Sequence, residues 1–359
     1  MSDDLSTRFC EHPWTFLEIQ EKGLFNCCPR WVNHNRIGSL TSKFRNQYPS
    51  PTLDFYEEWN SKRSKAFRKS ILNGSFSMCN PEECPRIQNS TLPTREEVLA
   101  GKFGDELRFI LEFEIEFAQP PSIVNLCYDK SCSLKCPSCR KNLIQYGEKN
   151  QPDKYKQTLM INKRLLRMIH SKPHKVQLNI TGSGDPFGSP SFFELMKKIN
   201  PRLNPKITLT LQTNGVLFDE KRWEKLKNIH KLDVRAIISL DAGIKEHYNK
   251  VRVGGNWDRL LKNLHFIQSI GLKEVRLDMC VQNNNYKSIP EFIHIAQAHD
   301  FFSYTSRIFN WGTFNDKDYN YHNIFDSGHP DHVNFLKVLN QDYHYHKHDW
   351  GNLTEFITD

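Results

Sequence analysis

From residue 122 onward, short apolar runs alternate with stretches whose apolar residues recur three and four positions apart. The runs 123–127, 175–181, 207–212, 234–240, 275–282 and 304–309 read as strands, being short and flanked by turn residues. The stretches between them read as helices. In one of these, Leu260, Leu261, Leu264 and Ile267 recur at three- and four-residue spacing between Trp257 and Ile270, and Gly271 supplies the stop. Six strand-and-helix repeats predict a parallel sheet with too few strands for a closed eight-stranded barrel. A partial barrel or an open doubly wound sheet remains, and both place ligands at the C-terminal ends of the strands.

The first quarter of the chain follows another pattern. Two strand-like runs, 15–20 and 24–27, flank a turn at Gly23. The polar, Pro-containing segment 89–94 suits a linker, with a helix from Arg95 and a strand-like alternating run at 111–117 behind it. The predicted organisation is a small cysteine-rich N-terminal domain over 1–90, a bridging segment over 91–118, the barrel over 119–315 and a C-terminal extension over 316–359. An amphipathic helix over His332–Leu339 is expected to close the barrel's open side.

Composition narrows the classes. With 38% apolar and 25% charged residues among 359, the chain is neither disordered nor a membrane bundle, and no apolar run approaches the roughly 18 residues of a membrane helix. The acidic, polar start lacks the pattern of a secretion signal, so the expected compartment is the cytoplasm. The net charge of +8 favours acidic partners without singling out nucleic acid.

In a reducing compartment ten cysteines point to metal or redox chemistry rather than disulfides. Five lie early (Cys10, Cys27, Cys28, Cys79 and Cys84), four follow at Cys127, Cys132, Cys136 and Cys139, and Cys280 stands alone in an apolar strand. Cys132, Cys136 and Cys139 form a Cys-x3-Cys-x2-Cys run just after the first barrel strand. Three thiolates so close together can cap three irons of a cubane cluster and leave the fourth open, whereas structural zinc takes four ligands and would have to borrow Cys127.

This run, in this place, resembles the signature of the radical S-adenosylmethionine superfamily. The resemblance implies a partial (β/α)6 barrel and a [4Fe–4S] cluster on Cys132, Cys136 and Cys139 whose open iron chelates S-adenosylmethionine. It further implies reductive cleavage to a 5′-deoxyadenosyl radical, which takes hydrogen from a peptide or protein residue, a sugar or a nucleotide metabolite. Ser138 stands where the family usually has an aromatic residue. Gly182, Ser183, Gly184 and Asp185 resemble the family's Gly-Gly-Glu-Pro motif and would face the cofactor's ammonium. Thr213 and Asn214 after the third strand, Ser239 after the fourth, Arg252 as partner of the cofactor carboxylate and Gln282 beside the adenine complete the implied set.

Cys10, Gly23 and Cys28 keep a Cys-x12-Gly-x4-Cys spacing, with Cys79 and Cys84 behind, and so resemble the opening of SPASM and twitch domains. That implies an auxiliary [4Fe–4S] cluster on Cys10, Cys28, Cys79 and Cys84, with Cys27 outside it and zinc as the alternative metal. Relatives carry this domain after the barrel, not before it. Such chemistry needs a low-potential electron donor of the flavodoxin or ferredoxin type. The reading from another class is a zinc-stabilised nucleic-acid-binding protein, which leaves the six repeats unexplained. His344, His346 and His348 alternate but read as an exposed polar edge rather than a metal site.

Overall fold

The computed structural model describes residues 4–21, 23–32, 55–180 and 182–357; Thr181, the end of the second expected barrel strand, lies outside them. The strands are β1 (Phe16–Gln20), β2 (Gly23–Phe25), β3 (Ile123–Cys127), β4 (Val176–Ile180), β5 (Ile207–Thr213), β6 (Asp233–Ser239), β7 (Glu274–Val281), β8 (Phe302–Arg307) and β9 (His348–Asp349). They are hydrogen-bonded in the order β2-β1-β3-β4-β5-β6-β7-β8-β9, a nine-stranded sheet that does not close. Strands β3 to β8 are the six expected ones, each within two residues of its predicted bounds. The sheet is wider than expected. β1 joins β3 in parallel, β2 returns antiparallel on β1, and β9 adds in parallel to β8.

The chain divides into two compact units. The first comprises Met1–Asp129, Asp153–Gly182 and Asn200–Thr208. Here Leu17 lies beside Val124 and Ile19 beside Leu126 in the β1–β3 ladder, and all four side chains are buried. The N-terminal strands therefore share a core with the first barrel strand. Helix Lys62–Leu72 starts where the Ser61 hydroxyl accepts from the Ser64 amide, and it buries Phe67, Ile71 and Leu72.

The strand expected at 111–117 does not form. Helix Asp105–Glu112 takes its first two positions, and side chains bind the backbone beyond it. The Trp14 indole donates to the Ile115 carbonyl and the Trp59 indole to that of Gln119, each at 2.8 Å, while Arg68 donates to Glu116 at 3.1 Å. Asn60 accepts from the Ala118 amide at 2.9 Å and donates to its carbonyl at 3.0 Å. Alternation mimics a strand, but backbone groups already paired with side chains have no ladder to join.

The second unit comprises Lys130–Pro152, Ser183–Ile199 and Leu209–Asp359. Strand β7 alternates strictly, with Val275, Leu277, Met279 and Val281 buried. Helix Trp257–Ser269 forms as predicted: Asn256 caps it, and Leu260, Leu264 and Ile267 are buried. Helix His332–Leu339 also matches its expected bounds. Only His348 of the three alternating histidines lies in a strand, where its ring pairs with the Ser303 hydroxyl at 2.8 Å; His344 is exposed beside Asp342. Among the described residues no helix is long and apolar enough to cross a membrane.

Arg68 is fully buried in the first unit and donates to the carbonyls of Pro13, Trp59 and Glu116 and to the Asn60 side chain. Arg68→Met keeps the aliphatic stem but strands those acceptors. Urea unfolding should show a loss of about 3–5 kcal/mol.

Candidate functional site

The loop that follows β3 carries Cys132, Cys136 and Cys139 and is tied down by backbone bonds at several points. The Cys132 amide donates to the Ile144 carbonyl at 3.0 Å, and Lys135 donates to Val253 at 2.9 Å. The amides of Cys139 and Arg140 both donate to the Cys136 carbonyl at 3.0 Å, closing a tight turn. Asp185 donates its amide to the Ser131 carbonyl at 2.9 Å, which joins the loop after β4 to the cysteine loop. Cys132 and Cys136 are buried and Cys139 is exposed. Burial pushes the Cys132 thiol up to about 11, and it raises that of Cys136 as well, against the pull of Arg252.

A side-chain N–H reaches each of the three sulfurs. Asn214 Nδ2 donates to Cys132 Sγ at 3.6 Å, Arg252 Nη1 to Cys136 Sγ at 3.6 Å and Arg140 Nη2 to Cys139 Sγ at 3.3 Å. Arg252, expected to meet a cofactor carboxylate, also pairs through Nη2 with Asp241 at 2.7 Å and leaves Nε buried without a partner. Asn214 faces the cysteine loop, where it also meets the Ser133 hydroxyl at 3.3 Å. Arg140 had no assigned role in the sequence, although its place directly after the third cysteine was a usable signal.

Asp185, expected to offer the cofactor an acceptor, is buried. One carboxylate oxygen accepts the amides of Phe187 and Gly188 at 3.0 and 2.8 Å, and the other accepts the Thr213 hydroxyl and the Asn214 amide at 2.7 and 2.8 Å. These four donors let it organise the loop after β4 and the end of β5. Burial raises its carboxyl in spite of these bonds. Thr213 is likewise engaged, since its hydroxyl also accepts from the Gly215 amide at 3.1 Å.

The remaining expected residues sit at strand ends. Ser183 and Gly184 follow β4, and the Ser183 carbonyl accepts from Arg140 at 2.8 Å. Ser239 ends β6, and Gln282 follows β7, buried, with its amide bonded to the Asn285 side chain. Gly182 belongs to the other unit: with φ +91° and Cys127 Sγ only 2.7 Å from where a Cβ would stand, it must be glycine. Asp241 holds a positive φ of 59° and accepts the Cys280 amide at 2.8 Å, fixing the turn after β6.

Residues 130–296 match the profile of the Radical SAM superfamily. They are a radical SAM domain. That family works with a [4Fe–4S] cluster and S-adenosylmethionine, so the chain's cysteine triplet lies within the matched stretch. Among curated proteins, a probable GTP 3′,8-cyclase of Methanococcus maripaludis is 28% identical over 159 residues, which are 44% of this chain and 49% of that one. The chain thus matches about half the length of this relative. Among solved structures, TYW1 with a lysine-pyruvate adduct is 18% identical, covering 62% of this chain and 71% of its own with a TM-score of 0.37. Streptococcus suis SuiB bound to the precursor peptide SuiA is 17% identical, covering 71% of this chain and 55% of its own with a TM-score of 0.40.

Outside the radical SAM domain, the early cysteines lie in the first unit with β1 and β2. The Val32–Cys79 bridge and the bond from the Asn80 amide to the Trp31 carbonyl, at 2.9 Å, lay the segment after β2 against the stretch holding Cys79. Cys84 accepts this geometry through its amide bond to Asn80 at 3.0 Å, and Arg86 reaches back to Cys10 Sγ at 3.7 Å while gripping Glu11 with both nitrogens. Cys27 is buried here: burial and then the charges of Cys10, Cys79, Cys84 and Cys28 raise its thiol. Cys79 is raised by burial and then by Cys10 and Cys84, with no contribution from Cys28. Cys28 instead bears on Cys127, together with Glu18. Cys27 therefore feels the charges of Cys10, Cys79 and Cys84 as well as that of its neighbour Cys28.

Among the described residues, no group of three or more His, Cys, Asp or Glu side chains could hold one metal ion. The triplet's chemistry suits a [4Fe–4S] cluster: three thiols on one loop, each with a side-chain N–H donor at its sulfur.

In metal-free protein at pH 8, exposed Cys139 should react first with iodoacetamide. Cys132, with roughly a thousandth of its thiol ionised at that pH, should lag far behind, as peptide mass spectrometry over time will show.

Proposed function

We propose that this chain is an enzyme that reductively cleaves S-adenosylmethionine and abstracts a hydrogen atom from its substrate. The observation carrying this reading is the cysteine loop of the radical SAM domain, with Cys132, Cys136 and Cys139 on one tied-down loop at the C-terminal end of a parallel strand. When bound, the cluster supplies one electron that splits the cofactor into methionine and a 5′-deoxyadenosyl radical. The chain's own residues hold the three thiolates, brace the loop through Asp185 and Arg140, and keep Cys132 and Cys136 away from water. Gly182, Ser183, Gly184, Asp185, Thr213, Asn214, Ser239, Arg252 and Gln282 remain the proposed cofactor contacts. The substrate class stays as broad as the sequence left it, a peptide or protein residue, a sugar or a nucleotide metabolite, and the electron donor is a flavodoxin or ferredoxin. The nucleic-acid-binding reading finds no support in a radical SAM domain.

The second element of the proposal is an auxiliary cluster on Cys10, Cys27, Cys79 and Cys84. Four thiolates fill such a cluster, which then serves electron transfer or substrate shaping rather than cofactor binding.

Two measurements test the two elements. Under anaerobic reducing conditions the wild-type protein should form 5′-deoxyadenosine, and Cys132→Ala, Cys136→Ala or Cys139→Ala should reduce this to background; turnover by any of the three at the wild-type rate overturns the reading. A variant with all three replaced should still hold about four irons per chain after reconstitution. Adding Cys27→Ala should strip that iron and adding Cys28→Ala should leave it, and zinc in place of iron would make the site a structural staple.

A further inference from the structure

The three cluster cysteines differ in what donates to them. Asn214, a neutral amide, donates to Cys132 at 3.6 Å, and the Leu134 amide adds a second bond to the same sulfur at 3.4 Å. Arg252 donates to Cys136 at 3.6 Å, but its charge is balanced by Asp241 at 2.7 Å. Arg140 donates to Cys139 at 3.3 Å, and its other contacts are neutral carbonyls, those of Lys130 at 2.5 Å and Ser183 at 2.8 Å. Arg140 is itself buried, so water screens its charge weakly. The carbonyls aim the guanidinium at the sulfur without neutralising it. Of the three donors, Arg140 alone brings an unbalanced positive charge to a cluster ligand.

We infer that Arg140 is a positioning residue that sets the reduction potential of the cluster, by holding an uncompensated guanidinium against the Cys139 sulfur. The inference rests on the proposed cluster at Cys132, Cys136 and Cys139. Its direction follows from charge. One-electron reduction adds negative charge to the cluster, a nearby cation stabilises the reduced form, and removing the cation makes reduction harder. Arg252, balanced by Asp241, should matter less for potential and more for the shape of the loop.

The test compares full-length wild type with Arg140→Gln, which keeps an N–H donor and loses the charge, and Arg140→Lys, which keeps the charge. Potentiometric titration should follow only the electron paramagnetic resonance signal that changes when S-adenosylmethionine is added, and iron should be counted in each sample. With wild-type iron, Arg140→Gln should show at least about a tenfold smaller reduced fraction at a fixed donor potential, a shift of about 59 mV downward, and Arg140→Lys should recover most of it. An unchanged potential in iron-replete Arg140→Gln overturns the inference. Loss of iron from both variants also overturns it, by showing that Arg140 is needed for assembly alone. A wild-type protein with no cofactor-sensitive signal would instead overturn the proposed function.

Discussion

Three sulfurs on one short loop have to converge on a point, and a loop has no ladder of its own to hold them there. Everything around Cys132, Cys136 and Cys139 answers that constraint. The backbone is stitched to Ile144 and Val253, Asp185 lends its amide to Ser131, and Asn214, Arg252 and Arg140 each place an N–H on one sulfur. Strand ends of a parallel sheet suit this task because several loops leave the same edge, so residues distant in sequence can brace a single one. Asp185 shows the economy of the arrangement: one carboxylate with four protein donors fixes both the loop after β4 and the end of β5.

The N-terminal unit solves a related problem with different parts. Its cysteines come from the approach to β1, the exit from β2 and the two ends of a short connection, so their grouping depends on the hairpin, the Val32–Cys79 bridge and the reach of Arg86. Buried Arg68 and the two tryptophan indoles then hold the irregular segment behind them. Each is a polar group buried at the cost of its hydration and repaid by carbonyl acceptors. The same unit shares the β1–β3 ladder with the first barrel strand.

Periodicity determined a good part of this protein by itself. Strands β3 to β8 and helices Trp257–Ser269 and His332–Leu339 were readable because apolar spacing reports directly on which face is buried. The cysteine triplet was readable because its chemistry lies in residues adjacent in sequence, and the match over residues 130–296 falls on it. Where local pattern and backbone pairing disagreed, pattern misled: residues 111–117 alternate like a strand, yet their carbonyls belong to Trp14 and Arg68.

Only the tertiary structure decided which partner each polar side chain takes. Spacing from Gly23 selected Cys28, while in the folded unit the charges of Cys10, Cys79 and Cys84 bear on Cys27. Family likeness sent Arg252 and Asp185 to a cofactor, and the fold adds protein partners that sequence did not show: Asp241 and Cys136 for the first and four donors for the second. Arg140 carried no assignment until its guanidinium was seen against Cys139. The reason is physical. Burial of apolar faces is fixed by periods of two and 3.6 residues, which sequence displays, but a hydrogen bond is fixed by distance and angle between groups far apart in the chain, and these exist only once the chain has folded.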